Sequence, residues 1–359
     1  KKVDQNFMMY KRTALFLLGL SALAACQSPR AYAPITGTNP ALQAQNPFSR
    51  FNANADWYSQ LSPELQAYYA PAKGLQGREL FEALHQIINK ARQLDYGPGK
   101  GYMYAVAANY KRSNQSGLDA VYSNMFVSGS GGNGGSYKER GDANGDGKSG
   151  DFINCEHTWP QSFFGKAEPM RSDVHHLFPT FSVPNNRRGH HPFGTANEGK
   201  VVYSTDGGSK LVVRGRALSF ANAQLESMFA QADQASAMSA MSSEEASEED
   251  IFSPLGKGEA VYEPANNQKG NTARATLYFY MRFYNRNIRQ GDYDAKDYLI
   301  NRLPMFTEWS EQVDPVDDAE RRRNDLIAER QGNRNPFIDI PNLVNIIGLD
   351  TFKQVESRF

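Results

Sequence analysis

Residues 154–164 read Asn-Cys-Glu-His-Thr-Trp-Pro-Gln-Ser-Phe-Phe, residues 172–179 read Ser-Asp-Val-His-His-Leu-Phe-Pro, and residues 185–194 read Asn-Asn-Arg-Arg-Gly-His-His-Pro-Phe-Gly. This window holds five of the six histidines in the chain. Histidine is the side chain best suited to exchange a proton near neutral pH or to bind a metal, and here it is crowded with a glutamate, an asparagine and two arginines. We therefore expect the reaction centre to lie in this window.

The window also predicts three short elements. A strand is expected over residues 152–155 and a second over residues 174–181, because both segments are short and rich in apolar residues. Ser182 is expected to cap a following helix that has Pro184 in its first turn. A strand, a loop, a second strand and a helix would bring the polar residues of the window together.

Hydrolysis of a phosphodiester needs an activated water, a cation near the scissile phosphate, and positive charge for the developing negative charge. Glu156 and Asn185 offer one carboxylate oxygen and one amide oxygen, an incomplete hard ligand set that suits Mg²⁺, with Mn²⁺ or Ca²⁺ as substitutes. Neutral His157, whose ordinary pKa is about 6.5, could take the proton from the attacking water. Arg187 or Arg188 could hold the phosphate oxygens.

The other histidines of the window have structural as well as functional interpretations. Because residues alternate across a strand, one of His175 and His176 should point toward the site, and we favour His175, with Asp173 as its orienting partner. His190 and His191 would either contact phosphate or lie on the surface near a helix end.

These segments resemble the active-site region of the bacterial endonuclease I family, a ββα-metal or His-Me finger. The similarity covers most of residues 61–344. It continues toward the C-terminus in the right order, at Glu263-Pro264, Lys269-Gly270, Ala273-Arg274, Tyr278 to Tyr284, Trp309, Asp314-Pro315-Val316, Arg323-Asn324 and residues 331–337. The resemblance implies an α+β fold, with a mostly helical body around a ββα core at residues 150–195 and a helical part at residues 260–350.

The resemblance also implies a function. Members of the family cut DNA, and often RNA, with little sequence preference, and leave 5′-phosphate ends. It assigns His157 as the general base, Glu156 and Asn185 as ligands of one divalent metal, and an arginine as the residue that steadies the phosphate. Some relatives carry a glutamate where this chain has Arg171, so that second acidic group is absent here. We expect a deoxyribonuclease-type endonuclease that acts as a monomer.

The first 25 residues predict an export signal. Lys11 and Arg12 precede an apolar run, residues 14–20, which is too short to span a bilayer. The run leads to Leu-Ala-Ala-Cys, residues 23–26, which resembles the lipobox of bacterial lipoproteins. Cys26 would then be acylated and anchor the protein to the outer membrane or cell surface; simple cleavage would instead leave it periplasmic or secreted.

The rest of the chain divides by composition. Residues 26–55 are rich in Pro, Ala, Asn and Gln, which predicts a flexible tether. Residues 56–359 would then form the catalytic domain. Within this domain, apolar residues recur at helical spacing from about Gly77, and we interpret His85 as a structural residue of that helix.

A loop before the histidine window resembles half of a calcium-binding loop. Asp142, Asn144 and Asp146 occupy its first, third and fifth positions, with glycine at the sixth. The twelfth position is Ile153 instead of glutamate, and the nearest substitute carboxylate is Asp151. A structural Ca²⁺ site and a plain turn therefore both remain open.

The charge of the chain excludes a protein that binds nucleic acid through a large overall positive charge. The chain has 39 basic and 39 acidic residues, and 35 and 38 remain without the leader. Any polyanion site must therefore be local. Besides the histidine window, the sequence offers a C-terminal cluster of arginines at positions 321, 322, 323, 330 and 334.

Two other functions compete with a nuclease. A zinc hydrolase could use Cys155, His157 and His175, although the spacing offers no compact zinc motif. A non-catalytic lipoprotein could bind calcium through the loop of residues 142–151 and present an adhesive surface.

Overall fold

Helices surround three small antiparallel sheets in the computed structural model of this protein. The structure describes residues 56–129, 153–242, 254–290 and 295–356, which belong to one compact unit, Pro47–Phe359. The mixture of helices and sheets confirms the expected α+β class.

Several sequence predictions fall outside the described residues. They are the signal peptide, the lipidated Cys26, the tether over residues 26–55, and the calcium loop with Asp142, Asn144, Asp146 and Asp151. They stay predictions. Among the described residues, no helix is both long and apolar enough to cross a lipid bilayer.

The described strands form three separate sheets, with spatial orders β1-β2-β3, β4-β5 and β6-β7-β8. Their bounds are β1 Tyr110–Arg112, β2 Gln115–Ala120, β3 Met125–Ser128, β4 Ile153–His157, β5 Leu177–Phe181, β6 Lys200–Ser204, β7 Lys210–Val213 and β8 Ala260–Glu263.

The described α-helices are mostly short. Their bounds are α1 Pro63–Tyr68, α2 Gly77–Ile88, α3 Tyr96–Tyr102, α4 Ser182–Arg188, α5 Asn222–Ser242, α6 Asn266–Phe283, α7 Ala295–Tyr298, α8 Leu303–Glu308, α9 Asp318–Gln331, α10 Pro336–Asp339, α11 Leu343–Ile347 and α12 Leu349–Glu356. Short 3₁₀ and π turns join several of them.

The predicted strand–loop–strand–helix unit is present as β4, β5 and α4. The two strands pair antiparallel, with Glu156 opposite Phe178 and His157 opposite Leu177. The first strand is longer than predicted, because it continues through His157. Helix α4 follows β5 without a loop and returns across the pair.

Two local predictions about this unit were wrong. Residues 174–176 form a 3₁₀ turn instead of the start of a strand, because the Oδ1 atom of Asp173 accepts a hydrogen bond from the backbone N–H of His175 at 3.1 Å. Ser182 is the first residue of the helix and not its cap. The N-cap is Phe181, and no side chain caps this helix end.

Helix α2 begins at Gly77, as predicted, and buries its apolar face. His85 belongs to that face, with 2% of its surface exposed, and its Nδ1 atom lies 2.8 Å from the backbone oxygen of Met281 on α6. This contact confirms that His85 is a structural residue.

Helix α6 is the centre of the main hydrophobic core, and nearly all of its side chains are buried. Phe279 stacks on Trp159, with ring centroids 5.3 Å apart, and on Phe164 at 5.5 Å. Because Trp159 follows β4 after one residue, this stacking fixes the end of the strand that carries Glu156 and His157.

Helix α6 passes close to the backbone of Asp314 at Gly270, where a Cβ atom would collide with the backbone oxygen of Asp314. Alanine normally stabilises an exposed helix by about 1 kcal/mol relative to glycine. We expect Gly270→Ala instead to lower the melting temperature in a thermal denaturation experiment. Gly101→Ala is the control, because a Cβ atom on this helical glycine meets no atom within 4 Å. Equal melting temperatures for the two variants would contradict the expectation.

Candidate active site

The β4–β5 pair presents Glu156 and His157 as neighbours at the end of β4, and both side chains are buried, with 2% and 5% of their surfaces exposed. A buried carboxylate is costly unless a cation or hydrogen-bond donors surround it. The contacts of Glu156 therefore show how the protein tolerates it.

Two residues approach one oxygen of Glu156. Tyr122 donates its hydroxyl to Oε1 at 2.9 Å, and the Nε atom of Arg188 lies 3.3 Å from the same oxygen. Among the described residues, no side chain or N–H donates to Oε2. Burial raises the pKa of Glu156 to about 7, although Arg188 and Tyr122 act in the opposite direction. The carboxylate of Glu156 could therefore bind a cation through Oε2.

Asn185 presents an amide oxygen to the same region. Its Nδ2 atom donates to Oδ1 of Asn154 at 3.3 Å and lies 3.5 Å from the backbone oxygen of Cys155. Its Oδ1 atom is buried and has no hydrogen-bond partner among the described residues. An unsatisfied buried acceptor costs about 1–3 kcal/mol. A cation bound to this oxygen would remove that cost, and the carboxylate of Glu156 on the adjoining strand β4 is the other oxygen ligand of the type that Mg²⁺ prefers.

His157 is held through one ring nitrogen. Its Nε2 atom lies 3.3 Å from the backbone oxygen of Arg171. Because a carbonyl can only accept, Nε2 carries the hydrogen and Nδ1 has the lone pair. Burial lowers the pKa of His157 well below its ordinary value, and the charges of His176, Lys100 and Arg171 lower it further. The imidazole is therefore neutral at physiological pH and can accept a proton.

Arg188 lies inside the protein, with 1% of its surface exposed. Besides Glu156, its guanidinium donates to the backbone oxygens of Gly189 and Thr158, at 2.6 and 2.8 Å, and to the hydroxyl of Tyr298 at 2.7 Å. A phosphate would have to displace these partners. This geometry corrects the expectation that Arg188 clamps phosphate, since its donors already serve the interior of the site.

Arg187 has a different environment from its neighbour. It is half-buried, and its guanidinium lies 4.5 Å from the ring centroid of Phe229 and 5.5 Å from that of Tyr203. These contacts link α4 to α5 and β6. The C-terminal arginines are also partly structural, since Arg323 donates to backbone oxygens of the 3₁₀ turn and β5 and Arg334 pairs with Asp339.

We expected Asp173 to orient the ring of His175, but it does not. Its carboxylate accepts from the backbone N–H of His175, from Gln331 at 2.7 Å and from Tyr278 at 2.8 Å, and it pairs with Arg282. Burial alone would raise the pKa of Asp173, but the charges of Arg282, His175 and His176 and the hydrogen bond from Gln331 together outweigh burial, and the pKa falls to about 2. Asp173 is thus a buried anchor between the 3₁₀ turn and α6 and α9.

The positions of His175 and His176 are the reverse of those that we predicted. The Nε2 atom of His175 lies 3.0 Å from the backbone oxygen of Asn333, away from Glu156 and His157. The ring of His176 instead lies 5.3 Å from the ring of His157, and its Nε2 atom is 2.7 Å from the backbone oxygen of Met170. The reason is the 3₁₀ turn, in which consecutive side chains do not alternate as they do in a strand.

The last histidine pair also separates. His191 is buried, with 2% of its surface exposed, and burial lowers its pKa to about 3. A phosphate contact or a surface position does not fit this residue. His190 is half-buried and packs against Phe163 at 6.1 Å between ring centroids.

Sequence similarity over the strands and helices described above shows the family of this protein. The endonuclease I family model matches residues 76–228 and 221–342, which include β4, β5, α4 and α6. The chain belongs to the endonuclease I family. It is therefore a nuclease, an enzyme that hydrolyses phosphodiester bonds.

Two curated relatives extend the comparison. An extracellular ribonuclease of Bacillus subtilis (strain 168) is 26% identical over 293 residues, which cover 77% of each chain. An extracellular ribonuclease of Bacillus amyloliquefaciens is 25% identical over 295 residues, covering 78% of this chain and 77% of the relative.

Membership of a nuclease family weighs against both competing functions. For the zinc hydrolase, Cys155, His157 and His175 would have to meet. In the described part of the chain, no three residues of the types His, Cys, Asp and Glu form a group that could hold a metal.

Sequence reasoning missed Tyr122, Tyr298 and Lys100. Tyr122 lies in the β2–β3 turn and Tyr298 ends α7, far from the histidine window in the sequence. No motif marks them, because their roles depend on contacts such as the bond from Tyr122 to Glu156. A search for polar residues that flank the window could not have found them.

We expect Arg188→Met to lower the free energy of unfolding by about 3–5 kcal/mol, because it leaves Glu156 buried without its cation. Urea denaturation measures this change. Arg187→Met is the matched control on the neighbouring residue, and we expect it to cost about 1 kcal/mol through lost stacking. If the two variants were destabilised equally, the ion pair between Arg188 and Glu156 would not have the assigned importance.

Proposed function

We propose that this endonuclease I family member is an exported, metal-dependent enzyme that cuts DNA with little sequence preference, with RNA as a second substrate. The observation that carries this proposal is the buried, unpartnered Oδ1 atom of Asn185, which α4 holds beside the strand of Glu156 and His157. Leaving such an acceptor unpaired costs about 1–3 kcal/mol, and a divalent cation with a bound phosphate would satisfy it.

The residues then divide the chemistry among them. Glu156 and Asn185 would hold the cation, Mg²⁺ by preference, which supplies charge stabilisation for the scissile phosphate and the leaving oxygen. His157 would take a proton from water onto Nδ1 as the water oxygen attacks phosphorus. The bond between phosphorus and the 3′ oxygen breaks as the new bond to the water oxygen forms, and the leaving 3′ oxygen takes a proton from a solvent water, which leaves a 5′-phosphate and a 3′-hydroxyl. Arg188 would act as a positioning residue that keeps Glu156 ionised and in place.

The names of the relatives bear on substrate and location. Both are described as extracellular ribonucleases, which supports RNA as a substrate and supports export. The predicted signal peptide over residues 1–25 agrees with export. Acylation of Cys26, a single catalytic domain over residues 56–359 and a monomeric state belong to the same proposal. If Cys26 carries a lipid anchor, the Cys26→Ser substitution removes that anchor, and the protein should move from the membrane fraction to the soluble fraction.

The direct test is cleavage of supercoiled plasmid and of a long RNA by purified protein, with Mg²⁺ and with EDTA. We expect cleavage only with Mg²⁺. His157→Ala should lower kcat by a factor of about 10²–10⁴, because it removes the general base. His190→Ala is the control, because it removes a neighbouring imidazole that packs against Phe163, and it should keep kcat close to the wild-type value. Intact DNA and RNA under both conditions would refute the proposal.

The metal ligands should respond differently from the base. We expect Glu156→Gln and Asn185→Ala to raise the Mg²⁺ concentration needed for half-maximal rate, because each removes or weakens one ligand oxygen. Titration of the cleavage rate with Mg²⁺ measures this. Excess Mg²⁺ should restore these variants in part but leave His157→Ala inactive. Rescue of His157→Ala by metal would contradict the assigned roles.

The pH dependence should follow metal binding. The pKa of Glu156 without metal is about 7, so protons compete with Mg²⁺ below neutral pH. The lowered pKa of His157 keeps the base neutral over the same range. We expect kcat/KM at limiting Mg²⁺ to fall as pH drops below about 7, and this acid limb to move to lower pH at saturating Mg²⁺. An acid limb that ignores Mg²⁺ concentration would point to another group.

A further inference from the structure

One oxygen of the Glu156 carboxylate is already occupied by the protein. Tyr122 donates its hydroxyl to Oε1 at 2.9 Å, and the Nε atom of Arg188 lies 3.3 Å from the same oxygen. A carboxylate oxygen has two lone pairs, so these two partners leave none free on Oε1. Oε2, by contrast, has no donor among the described residues. A cation would therefore meet this carboxylate through one oxygen only.

Tyr122 is held in place by contacts on three sides. It follows strand β2, and the backbone N–H of the preceding residue, Val121, donates to the backbone oxygen of Pro179 on β5 at 2.9 Å. The hydroxyl of Thr205 donates to the backbone oxygen of Tyr122 at 2.7 Å. The ring of Tyr122 packs edge-on against Tyr262 on β8, with centroids 4.8 Å apart. These contacts fix the tyrosine relative to β5, the strand that pairs with β4.

Tyr122 acts on Glu156 as an uncharged donor. Its side chain is buried, with 1% of its surface exposed, and burial raises the pKa of the hydroxyl well above its usual range. The charge of Glu156 raises this pKa further, while the charge of Arg188 lowers it. The hydroxyl therefore keeps its proton and directs it at Oε1.

Mg²⁺ and Ca²⁺ make different demands on a carboxylate. Mg²⁺ needs a nearly ideal octahedron and keeps several waters, whereas Ca²⁺ tolerates an irregular shell and accepts both oxygens of one carboxylate. With Oε1 occupied, Glu156 offers a single oxygen, and Asn185 offers its buried Oδ1. A sparse set with one oxygen from each residue suits Mg²⁺ better than Ca²⁺.

We propose that Tyr122 is a positioning residue that keeps Glu156 monodentate, bound to the ion through Oε2 alone, and so makes the site prefer Mg²⁺ to Ca²⁺. This inference rests on the proposed function, which places the cation on Glu156 and Asn185. Without the hydroxyl, Oε1 would regain a lone pair, and the carboxylate could turn both oxygens toward the ion. Mg²⁺ would then lose an oriented ligand, whereas Ca²⁺ would gain a second oxygen.

A purely structural tyrosine predicts different behaviour. Loss of a buried hydrogen bond lowers the melting temperature, but a structural defect would change the affinities for all divalent ions alike or leave them unchanged. The positioning role changes the Mg²⁺ and Ca²⁺ affinities by different factors. The ratio of the two affinities is therefore the decisive quantity.

The experiment compares Tyr122→Phe with wild-type protein in the absence of nucleic acid. Phenylalanine keeps the ring that packs on Tyr262 and removes only the hydroxyl. Mn²⁺ binding is followed through the EPR signal of the free ion, and Mg²⁺ and Ca²⁺ are measured by competition with Mn²⁺, at a pH well above the pKa of Glu156. We expect Tyr122→Phe to raise the Kd for Mg²⁺ about tenfold and to change the Kd for Ca²⁺ by less than about twofold.

Tyr262→Phe is the matched control, because it removes the hydroxyl of the adjacent buried ring, which donates no hydrogen bond to Glu156. It should keep both wild-type Kd values. Glu156→Gln should weaken Mn²⁺ binding strongly, which identifies the measured ion as the one at this site. Thermal denaturation in EDTA measures the structural effect of each substitution separately.

An unchanged Kd for Mg²⁺ in Tyr122→Phe, or equal increases for Mg²⁺ and Ca²⁺, would overturn the proposal. A lack of Mn²⁺ binding by wild-type protein, or binding that survives Glu156→Gln, would overturn it as well. If the metal affinities behave as expected but wild-type protein cleaves neither DNA nor RNA with Mg²⁺, the proposed function fails while the role of Tyr122 stands.

Discussion

The structure depends on burying one carboxylate beside one imidazole. Burial favours the neutral form of the Glu156 carboxylate and raises its pKa to about 7. The protein answers with Arg188, which is itself buried and held by the backbone of Thr158 and the hydroxyl of Tyr298. Because Thr158 lies two residues after Glu156, Arg188 holds the end of strand β4 in place and also pairs with the charge of Glu156. The helix α4, the strand β4 and the end of α7 are tied together by this ion pair.

A second buried ion pair stabilises the start of the other strand, β5. Asp173 and Arg282 join the turn before β5 to the central helix α6, and Gln331 on α9 completes the contacts of the carboxylate. Trp159 packs on the same helix through Phe279. Both strands of the pair are therefore anchored to α6 at the same end, where β4 finishes and β5 begins. The site is small, but its geometry depends on residues from the whole C-terminal half.

The sequence was enough to predict those elements of the site whose residues lie close together in the chain. Glu156 and His157 are adjacent, and the helix start that carries Asn185 is marked by Pro184, so their strand and helix could be predicted. The structural roles of Arg188 and Asp173 could not be predicted, because they depend on distant partners: Tyr298 is 110 residues from Arg188, and Arg282 is 109 residues from Asp173. The expected alternation of His175 and His176 failed for a local reason, since the Asp173 carboxylate closes a 3₁₀ turn that the apolar pattern does not reveal.

Arg171 contacts His157 through its backbone, since its carbonyl oxygen faces the imidazole. Every amino acid has that carbonyl, so this contact does not depend on which side chain occupies position 171. A substitution there can therefore change the charge beside the imidazole while the ring keeps its backbone partner. The orientation of the ring and the charge around it can thus vary separately, in evolution or in the hands of a protein engineer.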